Sequence, residues 1–127
     1  MDDSVLDRIA FDSAGLVPVI AQAHGTGEVL MLAWMNRDAV AETLATSRVC
    51  YYSRSRAALW RKGESSGQVQ RLIELRLDCD GDALLAIVDQ TGVACHTGRR
   101  SCFFTVLSPD GVKTIAEVLV PPETLYG

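Results

Sequence analysis

The stretch from residue 78 to residue 104 constrains this chain most, because it asks residues far apart in sequence to meet. It holds Cys79, Cys95 and Cys102, three of the four cysteines; Cys95 follows Cys79 by 16 residues and precedes Cys102 by 7. It also carries Asp78, Asp80 and Asp82 at every second position and the pair Arg99-Arg100. Thiolates are the preferred soft ligands for zinc, whereas carboxylate oxygens suit a hard ion such as magnesium. Three cysteines without a C-x-x-C pair fit an open site, with one position left for water or substrate, better than a closed zinc ribbon. Cys50, beside Tyr51-Tyr52, reads as a small core residue.

The carboxylate triple does not make an EF-hand. Counted from Asp78, Gly81 falls at position 4 and Asp89 at position 12, where a calcium loop needs Gly at 6 and Glu at 12. Turn chemistry accounts for Asp80-Gly81 as a two-residue hairpin but not for all three acids. Such a tight turn sets Cys79 and Asp82 on one face and Asp78 on the other, so spacing alone does not decide which groups share an ion.

The rest of the chain reads as a single domain over residues 1–127, with no repeat or low-complexity linker. Apolar alternation predicts strands over 17–23 and 28–34, joined by a turn at His24-Gly25-Thr26-Gly27, with His24 exposed. Asn36 is the expected N-cap of one clear helix over roughly 37–47, and residues 4–10 suggest a shorter one. Further strands are expected over 49–53, 69–77, 83–88, 103–107 and 112–120, with Ile73, Leu75 and Leu77 on one face of their strand and Leu72, Glu74 and Arg76 on the other. Residues 54–68 have neither period and read as a binding loop. The sum is α+β, mostly β, with a mixed or antiparallel sheet.

Net charge is −4, yet residues 48–76 hold seven basic side chains against two acidic ones. A local basic patch on an acidic protein suits a small phosphorylated ligand better than a nucleic-acid track. No apolar run approaches a membrane span, and the first twenty residues lack a basic region followed by an apolar block. With four cysteines and no export signal, the expected location is cytoplasmic and the thiols are expected to bind metal rather than pair. Within the basic stretch Trp60 is placed to stack on a base while cations hold phosphate, although a tryptophan also serves as an amphipathic core residue. His96, between Cys95 and Arg100, can be read as a fourth zinc ligand, a general base, a donor to substrate or a structural hydrogen-bonding group.

Trp60-Arg61-Lys62-Gly63-Glu64-Ser65-Ser66-Gly67, Asp78-Cys79-Asp80-Gly81-Asp82 and Ala94-Cys95-His96-Thr97-Gly98-Arg99-Arg100-Ser101-Cys102-Phe103 together resemble phosphoribosyl-AMP cyclohydrolases of histidine biosynthesis. Met31-Leu32-Ala33-Trp34-Met35-Asn36 and Tyr52-Ser53-Arg54-Ser55-Arg56 are similar to that family too, and the resemblance spans roughly residues 10–105. It implies hydrolytic opening of the N1–C6 bond of 1-(5-phosphoribosyl)-AMP by a monofunctional, intertwined homodimer. It further implies one zinc per subunit shared across the interface, with Cys79 from one subunit and Cys95 and Cys102 from the other, and magnesium on Asp78, Asp80 and Asp82. His96, with Glu64 as a second candidate, would carry protons, while Trp60, Arg61, Lys62, Ser66, Arg99 and Arg100 would bind the doubly phosphorylated substrate. Neither nucleic acid nor membrane is an expected partner.

Two competing classes are separable. A zinc-stabilised phosphate- or nucleic-acid-binding module would close its metal site with four ligands and bind polynucleotide in a salt-sensitive way. A zinc base deaminase would carry H-x-E and P-C-x-x-C, which this chain lacks.

Overall fold

The computed structural model describes residues 3–126. In chain order the elements are α1 (Asp3–Leu6), β1 (Val17–Ala23), β2 (Val29–Met35), α2 (Arg37–Thr46), β3 (Cys50–Ser53), β4 (Ala58–Arg61), β5 (Gln70–Leu77), β6 (Leu84–Gln90), β7 (Thr105–Ser108), β8 (Gly111–Thr114) and α3 (Pro122–Tyr126). The architecture is α+β and mostly strand, as expected. Among the described residues no helix is long and apolar enough to cross a membrane.

Four strands form the main sheet in the order β2-β1-β6-β5. β1 runs antiparallel to β2 and parallel to β6, and β6 pairs antiparallel with β5. A parallel pair needs a crossover, and residues 24–83 supply it, carrying α2 and the two-stranded β3–β4 hairpin on the way. Period-two alternation buries Val17, Val19, Ala21 and Ala23 of β1 beside Leu84, Ala86 and Val88 of β6, and β2, which does not alternate, adds Leu30, Met31 and Met35. Each large aliphatic chain so buried contributes on the order of 1.5–3 kcal/mol.

Helix α2 covers this face with Ala39, Val40 and Thr43. Its first turn is capped as expected, the Ala39 N–H donating to Asn36 Oδ1 at 2.9 Å. Thr43 Oγ1 donates to the Cys50 carbonyl at 3.2 Å and accepts from the Cys50 N–H at 3.0 Å, which locks α2 to β3.

Several sequence expectations are corrected. Residues 54–68 are not all loop: Ala58–Arg61 pairs with β3, because Leu59 and Trp60 gain partial burial against the core. The facing of β5 is also different. A bulge at Ile73 shifts the register between Leu72 and Glu74, so Leu72 and Leu75 pack on the core while Ile73 is 40% exposed and Leu77 37%. One extra residue in a strand inverts the alternation beyond it. The β5–β6 connection is wider than two residues, since the Asp78 N–H donates to the Ala83 carbonyl and Gly81 N–H to the Asp78 carbonyl, both at 3.0 Å. Helix α1 ends at Leu6 and β8 at Thr114, both short of expectation.

Candidate active site

The β3–β4 hairpin builds one wall. Tyr51 is fully buried and its ring lies 5.1 Å from that of Trp60, tilted by 35°, which fixes Trp60 as a half-buried plate. The Tyr51 hydroxyl donates to Gln70 Oε1 at 2.7 Å, and Gln70 Nε2 donates to Gln90 Oε1 at 2.8 Å. Burial, reinforced by the charge of Cys102, pushes the Tyr51 hydroxyl well above its usual range, so it stays a neutral donor.

Beyond β4 the chain turns at Gly63, whose φ is +84° and whose missing Cβ would stand 2.5 Å from the Val69 nitrogen. Only glycine allows that close return. The result is a cleft of about 500 Å³ lined by Ser53, Arg56, Trp60 and residues 61–66. A second groove of about 430 Å³, lined by residues 32–34, 52–55 and Trp60, adjoins it through Ser53 and Trp60.

The cysteine loop is held from three sides. Its neck closes through Ala94 N–H to the Arg100 carbonyl at 3.0 Å and Cys95 N–H to the Arg99 carbonyl at 3.1 Å. Beyond the neck, Cys102 N–H reaches the Leu30 carbonyl at 2.7 Å, tying the segment to β2. From below, the Gln90 amide donates to the Thr91 carbonyl at 2.8 Å, and Val93 N–H donates to Gln68 Oε1 at 2.9 Å.

Cys95 and Cys102 come together in this loop. The Cys102 residue is exposed overall, but its thiol is turned in: burial and the adjacent Cys95 push it up to about 12, against the pull of Lys62. The Cys95 Sγ also lies 3.0 Å from Thr97 Oγ1. Lys62 is 7% exposed and donates to the Ala94 carbonyl at 2.7 Å. Burial lowers its pKa while Cys102 and Cys95 oppose that shift, and its side chain also lines the cleft.

Cys79 sits elsewhere. Its thiol and the carboxylates of Asp78 and Asp80 form the only group of three or more metal-type donors within 4.8 Å of one another among the described residues, and all three are exposed. The tight-turn expectation that Asp78 faces away from Cys79 is therefore corrected by the wider turn. Asp82 is outside that group; its N–H donates to Asp78 Oδ1 at 3.1 Å, and the Asp78 charge raises its carboxyl pKa.

The remaining candidates are distributed as follows. His96 is exposed at the tip of the cysteine loop, and Glu64 and Ser66 line the cleft. Arg61 makes two bonds to Glu42 of α2, at 2.8 and 2.7 Å. Arg99 donates to the Ala116 carbonyl at 3.0 Å and stacks 4.1 Å from the Phe104 ring centroid. Arg100 donates to the Gly92 carbonyl at 2.6 Å and to Glu28 at 3.2 Å. Cys50 is fully buried, with its thiol pushed up to about 12 mainly by burial, as befits a core residue.

Sequence reasoning passed over Glu42, Gln70 and Gln90. Nothing in a sequence separates an amide buried beneath a loop from one on the surface, and Glu42 meets Arg61 only through the packing of α2 on the hairpin.

Comparison with known proteins gives a consistent result. The model of the phosphoribosyl-AMP cyclohydrolase family matches residues 31–104. Among curated relatives, a phosphoribosyl-AMP cyclohydrolase of Granulibacter bethesdensis is 70% identical over 124 residues, covering 97% of this chain and 97% of the relative. Those of Alkalilimnicola ehrlichii and Paramagnetospirillum magneticum are 68% and 63% identical, each over 97% of this chain and over 87% and 93% of their own lengths.

Proposed function

The chain belongs to the phosphoribosyl-AMP cyclohydrolase family, and from that premise we propose that it is a single-domain hydrolase opening the adenine ring of 1-(5-phosphoribosyl)-AMP at N1–C6, in histidine biosynthesis. The observation that carries this reading is the position of Lys62, which lines the cleft and also donates to the carbonyl of Ala94, the residue before Cys95. A base resting on Trp60 is thereby brought next to a thiol pair suited to a metal.

The donor chemistry fits zinc. Two adjacent thiols in a loop held by backbone bonds, with a third cysteine to complete the set, would hold a soft ion. Zinc held by these thiols would supply an activated water, its pKa lowered to about 7, for attack on the ring. The chain's own residues do the rest. Trp60 orients the base, the hairpin and cleft walls exclude water from one side, and His96 at the loop tip moves a proton to the leaving nitrogen, with Glu64 as second candidate. N1 alkylation leaves the ring cationic, which makes C6 electrophilic and offsets the charge that thiolates donate. Asp78 and Asp80, with Asp82 tied to Asp78 through its N–H, would hold magnesium, a hard ion matched to clustered carboxylate oxygens.

Cys79 lies apart from the other two thiols in one chain, which supports a homodimer in which the partner supplies it. The exposed apolar residues agree: Leu107, Val112, Ile115 and Leu119 are 77%, 72%, 59% and 64% exposed on and after the β7–β8 hairpin. Surfaces of that kind mark protein interfaces. The expected location is the cytoplasm, with a small phosphorylated molecule as partner and neither nucleic acid nor membrane.

The test is ring opening of phosphoribosyl-AMP, followed by its ultraviolet change, with protein as purified, metal-stripped and zinc-restored. Activity lost on stripping and regained with zinc is expected. A folded, zinc-loaded dimer without activity would overturn the assignment in favour of a zinc-stabilised binding module.

A further inference from the structure

The substrate of the proposed reaction carries two phosphate esters, one on each ribosyl arm, and the cations that the motifs offer for them are mostly engaged. Arg61 is held by Glu42, Arg99 by the Ala116 carbonyl and Phe104, Arg100 by Glu28 and the Gly92 carbonyl, and Lys62 by the Ala94 carbonyl. Two arginines of the same basic stretch are differently placed. Arg54 and Arg56 are both exposed, and neither makes an ion pair among the described residues.

These two arginines flank one turn and serve different cavities. Ser53 pairs with Ala58 to close the β3–β4 turn, whose last residue Ala57 is left-handed at φ +51°. A non-glycine residue in that region marks a turn held in one conformation by its surroundings. The Arg56 N–H donates to Ser53 Oγ at 3.2 Å, and Ser55 Oγ lies 3.4 Å from Ser53 Oγ. Arg56 lines the 500 Å³ cleft, whereas Arg54 lines the 430 Å³ groove, and Trp60 is common to both. Each volume lies within the roughly 300–1,000 Å³ typical of small-molecule sites.

Arg54 is also oriented. Its guanidinium carbon stands 4.6 Å from the Trp34 ring centroid. A cation over a ring face is restrained by it, and the Arg54 guanidinium, which makes no ion pair among the described residues, keeps donors for phosphate oxygens. Arg56 adds a second cation among the hydroxyls of Ser53, Ser65 and Ser66, which are donors of the type that phosphate oxygens accept.

We propose that the two phosphoribosyl arms of the substrate lie on opposite sides of Trp60, one phosphate bound by Arg54 in the Trp34 groove and the other by Arg56 in the Ser65–Ser66 cleft. This inference rests on the cyclohydrolase reading for the identity of the ligand, but the two-cation, two-lobe arrangement is a property of the chain itself. Arg54 and Arg56 are then substrate-binding residues that set specificity for a doubly phosphorylated nucleotide over a singly phosphorylated one.

The experiment compares wild type, Arg54→Ala, Arg56→Ala, the double variant and Arg54→Lys, with Arg48→Ala as a control outside both cavities. Steady-state kinetics with phosphoribosyl-AMP are run beside equilibrium binding of AMP, read by tryptophan fluorescence. Charge-assisted hydrogen bonds of this class lead to a KM raised about tenfold or more by each alanine and roughly a hundredfold by both, with kcat changed little. AMP, with one phosphate, is expected to lose affinity in only one of the two single variants. Arg54→Lys is expected to recover only part of the loss, because a point charge does not replace an oriented fork.

Unchanged KM in both alanine variants would overturn the proposal, as would equal weakening of AMP by both, which points to one shared phosphate site. If the wild type fails to turn over phosphoribosyl-AMP while the one-sided AMP pattern is present, the cyclohydrolase reading falls and the two-lobe site stands.

Discussion

The Lys62 ammonium donates to the Ala94 carbonyl at 2.7 Å across 32 residues of sequence. That single bond joins the end of β4 to the loop carrying Cys95, and it brings the floor of the cleft to the thiol pair. Burial of a lysine is costly unless it finds partners; here the carbonyl and the neighbouring thiols supply them.

The cysteines are expected to divide by role. Cys95→Ser and Cys102→Ser should lose zinc, measured by elemental analysis, together with at least a hundredfold of activity, since removing a ligand undoes the site. Cys50→Ala should keep zinc at the wild-type ratio. His96→Ala should keep zinc and lose turnover by roughly 10²- to 10⁴-fold, the usual range for a general acid or base. An His96→Ala enzyme with wild-type kcat would remove that residue from the chemistry.

Assembly should depend on the β7–β8 hairpin. Charging its exposed apolar tips with Leu107→Asp and Val112→Asp leaves the main sheet untouched, because neither side chain joins the core. Sedimentation is expected to report a monomer, and zinc content should fall with it, as Cys79 is no longer brought to Cys95 and Cys102. A zinc-replete monomer would show that one chain completes the site.

Gly98 should be far less replaceable than Gly25. Both have a left-handed backbone, at φ +87° and +88°, but a Cβ on Gly98 would stand 1.8 Å from the Val120 carbonyl oxygen while Gly25 faces open space. The Leu119 and Val120 N–H groups donate to the Gly98 carbonyl at 2.9 and 3.1 Å, so the clash falls where the C-terminal tail docks on the cysteine loop. Gly25→Ala is expected to cost about 1 kcal/mol by urea titration and Gly98→Ala roughly 2–3 kcal/mol or more.

The Glu42–Arg61 pair predicts an acid-sensitive contribution. The hydrogen bond from Arg61 lowers the Glu42 pKa below 4.5. A carboxylate whose folded pKa is depressed stabilises the fold above its unfolded value, and that contribution disappears as pH falls through the folded value. Glu42→Gln should therefore melt slightly below wild type at pH 7, by a few degrees at most for so exposed a pair. The gap should begin to shrink as the pH falls below 4.5 and close once it has passed the lower folded value; a gap that does not shrink as the pH is lowered would assign the effect to packing.

Much of the scaffold was legible in advance. Strands β1, β2 and β6 announce themselves by alternating or continuous apolar runs, and Asn36 marks the start of α2, because these signals are local consequences of period and capping. The bulge at Ile73 was not legible, since β5 looks regular in either register and only the demands of the core select Leu72 and Leu75. Strand β4 was hidden for a related reason: four residues rich in loop-like neighbours become a strand only because β3 offers them a partner.

The candidate site divides along the same line. The types and spacings of Cys79, Cys95, Cys102 and the three aspartates, and the motifs around Trp60, were determined by sequence, and they carry the resemblance to the family and the donor types on which the proposed metal sites rest. Which groups meet was decided by tertiary structure: Cys95 with Cys102 beside Lys62, Cys79 with Asp78 and Asp80, and Arg61 with Glu42. A thiol or guanidinium carries its chemistry in its own covalent structure, but its partner is chosen by loops and strands that bring residues tens of positions apart within hydrogen-bond reach. That choice follows from burying a shared core, which no single stretch of this chain contains.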